Sequence, residues 1–128
     1  MKLLIDTHVF IWFSEDDKSL SPTAHHLLAD VNNELFLSLA SVWEIQIKTQ
    51  LGKLDLQNTL SDTINRHRST NGIQLLPIDL QHILQLGKLQ NYHRDPFDRL
   101  LIAQAQVESM PILTRDTRIK QYNVNTLW

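Results

Sequence analysis

Leu3-Leu4-Ile5-Asp6 decides how this chain is read: three apolar residues in a row, closed by a carboxylate. A strand buried on both faces shows such an unbroken apolar run, whereas a half-exposed strand alternates. Leu35-Phe36-Leu37 ending at Ser38 repeats the form, and so does Ile112-Leu113 followed by Thr114-Arg115-Asp116. Leu75 to Ile78 and Val124 to Leu127 are weaker strand candidates, the former because Pro77 cannot donate to a ladder.

Helical spacing fills the intervals. Ser21-Pro22 reads as an N-cap with proline in the first turn, and Leu27, Leu28 and Val31 mark an apolar face that ends at Asn32-Asn33. Ser41 is placed to cap a second helix carrying Val42, Ile45 and Leu51 on one side, and Gly52 can end it in the left-handed conformation. Leu56 to Arg68 has Leu60, Ile64 and His67 at helical spacing, and Asp79 starts a short helix through Leu86 whose end at Gly87 repeats the glycine stop. The clearest start is Asp95-Pro96-Phe97-Asp98, which leads into Leu101, Ala105 and Val107. Apolar strands alternating with helices predict an α/β domain with a mainly parallel sheet covered on both faces, a single unit over residues 1–128.

Composition bounds the chemistry. The chain has 42% apolar and 20% charged residues, so a compact core is expected and a disordered region is not. With no cysteine there are no disulfides, thiolate zinc sites or cysteine nucleophiles, and any metal must sit on oxygen or imidazole. Asp6 and His8 break the apolar start, which reads as neither a signal peptide nor a membrane span, so a cytoplasmic protein is expected. The net charge of −2 argues against avid binding to nucleic acid without excluding a brief encounter, and basic residues gather at Arg66-His67-Arg68, at His93-Arg94 with Arg99, and at Arg115, Arg118 and Lys120.

Ligands of open parallel sheets bind beyond the carboxyl ends of the strands. The residues there are acidic: Asp6 after the first strand, Glu44 in the helix after the second, Asp98 at the start of the helix before Ile112-Leu113, and Asp116 after that strand. Brought together, four carboxylates raise one another's pKa, and a divalent cation removes the conflict. Each residue alone has a plainer reading. Asp98 suits a helix dipole, Asp116 a helix cap and Glu44 a solvent-facing position, but Asp6 closing a buried strand demands a partner. His25, His26, His67 and His82 show no zinc spacing and read as surface or half-buried residues, while His8 and His93 lie near carboxylates as candidates for a neighbouring, non-ligating role.

Several stretches together resemble PIN domains of the VapC toxin type: Leu4-Ile5-Asp6-Thr7-His8, Ser38 through Ser41-Val42-Trp43-Glu44-Ile45, Leu51-Gly52-Lys53-Leu54, His93-Arg94-Asp95-Pro96-Phe97-Asp98-Arg99 through Ala105, and Leu113-Thr114-Arg115-Asp116. The resemblance implies a three-layer α/β/α sandwich and RNA cleavage dependent on Mg2+ or Mn2+, as in the toxin of a type II toxin–antitoxin pair. It also implies a homodimer, a VapB-type antitoxin partner and products with a 5′-phosphate and a 3′-hydroxyl. It assigns catalysis to Asp6, Glu44, Asp98 and Asp116, with Asp6, Asp98 and Asp116 on the principal ion. Thr7, Ser38 and Thr114 fall where the family has small hydroxyl residues near the metal. Asp95 is either a helix cap or a group behind the ligands. The run Val9-Phe10-Ile11-Trp12-Phe13 exceeds one amphipathic face, so Trp12 and Phe13 are expected either in the core or at an antitoxin surface that receives an amphipathic helix. Two rivals stand beside this reading: a catalytically silent binding module, and a phosphatase with Asp6 as nucleophile.

Overall fold

The computed structural model describes residues 1–128. In chain order it contains β1 (Lys2–Ile5), α1 (Thr7–Ser14), α2 (Pro22–Ala29), β2 (Glu34–Ser38), α3 (Leu39–Gln50), α4 (Leu60–Asn71) and β3 (Gln74–Leu76). Then follow α5 (Leu80–Leu86), α6 (Pro96–Glu108), β4 (Ile112–Leu113), a short 3-10 helix at Ile119–Gln121 and β5 (Thr126–Leu127). The five strands form one sheet in the order β3-β2-β1-β4-β5, and every pairing is parallel.

The apolar runs are continuous because both faces of the sheet are covered. Leu3 and Ile5 turn to one side, where they join Val9, Phe10, Ala24, Leu28 and Ile45 from α1, α2 and α3, and Ile73 ahead of β3. Leu4 turns to the other side and packs with Leu101, Ile102 and Ala105 of α6 and with Ile112, Ile119 and Tyr122. The result is the expected three-layer α/β/α sandwich. Strand order runs from β1 toward β3 on one side and resumes at β4 on the other, so the switch point falls between β1 and β4, the place where such sheets open a crevice at their carboxyl edge.

Several local expectations change. The cap of α3 is Ser38, whose hydroxyl accepts from the Ala40 N–H, and the helix therefore starts before Ser41. Val31 lies beyond the end of α2 and is 94% exposed, and Leu51 is also exposed. Gly52 takes the left-handed conformation at φ 71°, but Gly87, at φ −65°, does not. The helix expected from Leu56 starts later, behind the Thr59 cap. His67 and His82, expected at the surface or half-buried, are buried. His67 sits against Phe10 and Phe13, and His82 completes a capping box with Asp79 while reaching Glu108 at 2.8 Å, which ties α5 to α6. No helix is long and apolar enough to cross a membrane.

Candidate active site

Each strand that ends at the switch point delivers a polar side chain to the same edge. Asp6 leaves β1 as the N-cap residue of α1 and is 5% exposed. Its Oδ2 accepts a 2.6 Å hydrogen bond from the Thr114 hydroxyl at the end of β4, and that hydroxyl in turn accepts from the Asp116 N–H at 3.0 Å. Thr7 and Ser41 are both buried, and the Thr7 hydroxyl donates to Ser41 at 2.7 Å, joining the starts of α1 and α3. Ser38 is buried as the α3 cap.

Glu44 is reached from α3 and is 2% exposed, with Oε2 paired to Lys48 at 2.7 Å one helical turn on. Asp98 comes from the first turn of α6, whose N-cap Asp95 accepts from the Phe97 and Asp98 N–H groups. Asp95 therefore acts as the cap. Its own N–H donates to His93 Nδ1 at 3.2 Å, which leaves the imidazole proton on Nε2. That Nε2–H is directed at Asp116 Oδ2, 3.3 Å away, and Asp98 Oδ2 lies 2.9 Å from the same nitrogen. His93, Asp98 and Asp116 thus present ligand atoms within 4.8 Å of one another.

The electrostatics are those of a crowded acidic centre. Burial raises the Asp98 carboxyl to about 8, with further repulsion from Asp6, Asp95, Glu44 and Asp116. Burial also raises Asp6, against the Thr114 hydrogen bond that favours its anion. Burial pushes Asp116 up as well, but hydrogen bonds from Arg118 and His93 win and hold it below the usual range. Lys48 loses to burial and gains more from Glu44, so its pKa is raised.

Two buried oxygens on this edge, Asp6 Oδ1 and Glu44 Oε1, have no hydrogen-bond partner. Buried anionic oxygens without donors are costly. A hard divalent cation is the species that relieves both the orphan oxygens and the mutual repulsion, and the all-oxygen set of Asp6, Glu44, Asp98 and Asp116 suits it. Asp6 as a nucleophile fits poorly, because it is buried with Oδ2 already bonded, and Lys48, which a phosphatase would need near it, is committed to Glu44.

Trp12 and Phe13 are both half-buried. Phe13 stacks on His67, while Trp12 lies beside Trp128, carries Arg115 over its ring and lines a groove with Asp6. An apolar groove lies elsewhere, between α3 and α4, lined by Leu39, Val42, Trp43, Leu60 and Ile64. Two contributors to the acidic edge left little or no trace in the sequence: Lys48 was findable from its four-residue spacing to Glu44, and Tyr122, which holds the His93 loop, gave no signal. His93, a candidate for a role beside the carboxylates, lies against Asp98 and Asp116.

Fold and edge together define a class: parallel-sheet α/β proteins that gather buried carboxylates where the strand order switches. The chain belongs to the PIN-domain family, whose model matches residues 3–125. A search of curated proteins finds no match. Among solved structures, VapBC2 from Rickettsia felis, bound to a DNA fragment from its promoter, superposes with a TM-score of 0.75 at 13% identity, covering 99% of this chain and 98% of that one. FitAcB from Neisseria gonorrhoeae gives 0.67 at 18% identity over 98% and 96%. VapC20 from Mycobacterium tuberculosis, described as a sarcin–ricin loop cleaving toxin, gives 0.68 at 12% identity over 95% of each chain.

Proposed function

We propose that this chain is an endoribonuclease and the toxin of a type II toxin–antitoxin pair, using Mg2+ or Mn2+ at the acidic edge. The observations that support the reading are that Asp98 and Asp116 converge on His93, that Asp6 and Glu44 lie close enough to add to the repulsion on Asp98, and that Asp6 and Glu44 each carry a buried oxygen without a donor. The PIN-domain match and the toxin–antitoxin structures of the same fold support it.

Asp6, Asp98 and Asp116 would hold the ion, and Glu44 Oε1 is free to orient water while Oε2 stays with Lys48. Such an ion, when bound, makes water a competent nucleophile near neutral pH and offsets charge on the phosphodiester. Thr114 keeps Asp6 Oδ2 aimed, and the His93 Nε2–H keeps Asp98 and Asp116 facing each other. Because water attacks instead of the ribose hydroxyl, the products carry a 5′-phosphate and a 3′-hydroxyl. Unpaired or looped RNA is the fitting substrate class, since only there are bases and backbone both open to a shallow edge. A VapB-type antitoxin is the proposed partner and a homodimer the proposed assembly; docking over Trp12 and Phe13 would cover the entrance beside Asp6.

The test is cleavage of single-stranded RNA in Mn2+ with and without EDTA. Asp6→Asn and Asp98→Asn are expected to remove at least about 100-fold of the activity while the fold persists by circular dichroism. Metal-dependent activity that survives in both variants refutes the assignment, and a wild-type chain that shows no Mn2+ binding by calorimetry supports the silent-module reading instead.

A further inference from the structure

A groove of about 240 Å3 opens directly beside the acidic edge. Its lining is mixed: the carboxylates of Asp6 and Asp116 stand with His8, Trp12, Arg115 and Arg118. The two arginines differ in what they already hold. Arg118 is engaged with Asp116, its Nε 3.3 Å from Oδ1 and a terminal nitrogen 3.4 Å from Oδ2. Arg115 makes no ion pair or hydrogen bond from its guanidinium within the chain, and its charge favours the carboxylate of exposed Asp17 only weakly.

Arg115 is nevertheless not loose. Its guanidinium carbon stands 4.5 Å from the centre of the Trp12 ring, and Trp12 is fixed in turn by Trp128 at 6.0 Å and flanked by His8 at 6.1 Å. A cation supported on an indole keeps its donors in place at low entropic cost and remains free to pair with an anion. Positively charged donors next to exposed aromatic rings are what an unpaired nucleotide requires, one for its phosphate and the other for its base. A fully acidic edge repels the RNA backbone, so a cation beside it is also needed to bring that backbone close.

Resting on the ribonuclease reading, we infer that this groove seats the nucleotide next to the cleaved phosphodiester, with Arg115 pairing its phosphate and the Trp12–His8 rings supporting its base. Arg115 is thereby a substrate-positioning residue, distinct from the groups that would hold the ion. It sets how tightly RNA binds and leaves the chemistry to the carboxylates.

The experiment uses the full chain with a fluorescein-labelled single-stranded oligoribonucleotide. Binding is followed by anisotropy in EDTA across a salt series, and cleavage in Mn2+. Arg115 is exposed, so Arg115→Ala is expected to fold normally. It should raise KM about tenfold with kcat within about twofold, and lower the slope of log affinity against log salt by about 0.7. Arg115→Lys should restore the salt slope but recover only part of KM, because a lysine keeps the charge and not the planar seat on Trp12. Wild-type cleavage with KM and salt slope unchanged in Arg115→Ala overturns the groove assignment alone. RNA that binds and is not cut in Mn2+ overturns the nuclease reading, and the binding comparison then decides the groove; RNA that neither binds nor is cut overturns both.

Discussion

The Thr114 hydroxyl bridges the two strands at the switch point: it donates to Asp6 Oδ2 at 2.6 Å while accepting from the Asp116 N–H at 3.0 Å. One fully buried hydroxyl thus fixes the orientation of one proposed ligand and the backbone of another. Groups that aim ligands in this way commonly govern metal affinity by 10- to 100-fold.

Thr114→Val keeps the shape and removes both hydrogen bonds. We expect Mn2+ affinity, measured by calorimetric titration, to fall at least about tenfold, and metal-free stability in urea to fall by about 1–3 kcal/mol as buried polar groups lose their partner. Thr114→Ser should restore most of the affinity. Equal Mn2+ affinity in the valine variant would show that Asp6 is held by something other than this hydroxyl.

The raised Asp98 carboxyl has a defined consequence for stability. Its folded value of about 8 lies above the 3.8 of the unfolded chain, so between these the native state binds a proton that the unfolded state does not. Stability contributed by that proton is complete at low pH and is lost as pH rises toward 8, with a slope of at most about 1.4 kcal/mol per pH unit. Asp6 acts in the same direction. His67, whose pKa is lowered by burial, acts in the opposite sense but only below about 6.5, and Asp116 only in the more acidic range below its unfolded 3.8. Thermal unfolding in EDTA from pH 7 to 9 should therefore show the midpoint falling and then levelling. Asp98→Asn should flatten that dependence, and saturating Mn2+ should raise the midpoint most at the alkaline end. A wild-type midpoint that rises with pH over this window contradicts the crowded-carboxylate account.

The acidic residues were legible because a parallel strand closes with chemistry at its carboxyl end. Asp6 and Asp116 follow apolar runs directly, and the Asp95-Pro96 cap fixes where Asp98 enters. Choosing between Ser38 and Ser41 as the α3 cap was beyond spacing alone, since either can begin a helix; packing decided, burying Ser41 against Thr7. The run from Val9 to Phe13 looked too apolar for one helix face because α1 is covered on more than one side, by the sheet through Val9 and Phe10, by His67 against Phe13 and by Arg115 over Trp12. Contacts across long stretches of chain, such as Tyr122 with Gln90 and His93, leave no local pattern at all.

His93 should act by aiming carboxylates. Its Nδ1 is occupied by the Asp95 N–H, so the Nε2–H is the part offered to Asp98 and Asp116. His93→Ala is expected to lower Mn2+ affinity about tenfold and RNA cleavage with it, and His93→Gln, which can still present an N–H at similar reach, to recover part of both. Calorimetry on the two variants separates this from the opposite role: tighter Mn2+ binding in His93→Ala would mean that the imidazole competes with the ion for the carboxylates.

Tyr122 controls the same imidazole from a distance. Its hydroxyl accepts from the backbone N–H groups of Tyr92 at 3.0 Å and His93 at 2.9 Å and from Arg99 at 3.2 Å, and donates to the Gln90 carbonyl at 2.7 Å. Three groups of the loop leading to α6, and Arg99 of α6 itself, therefore converge on one oxygen, and the buried His93 N–H among them has no other partner. Tyr122→Phe leaves the ring in place against Leu4 and α6 but removes the oxygen. The expected cost is about 1–3 kcal/mol of stability in urea, larger than an exposed hydrogen bond would give because buried donors are left unpaired. Loosening the loop also frees His93 from its position beside Asp98 and Asp116, so Mn2+ affinity should fall in Tyr122→Phe, and the Tyr122→Phe, His93→Ala double variant should fall no further than His93→Ala alone. Fully additive losses in that cycle would mean that Tyr122 supports the fold without acting through His93.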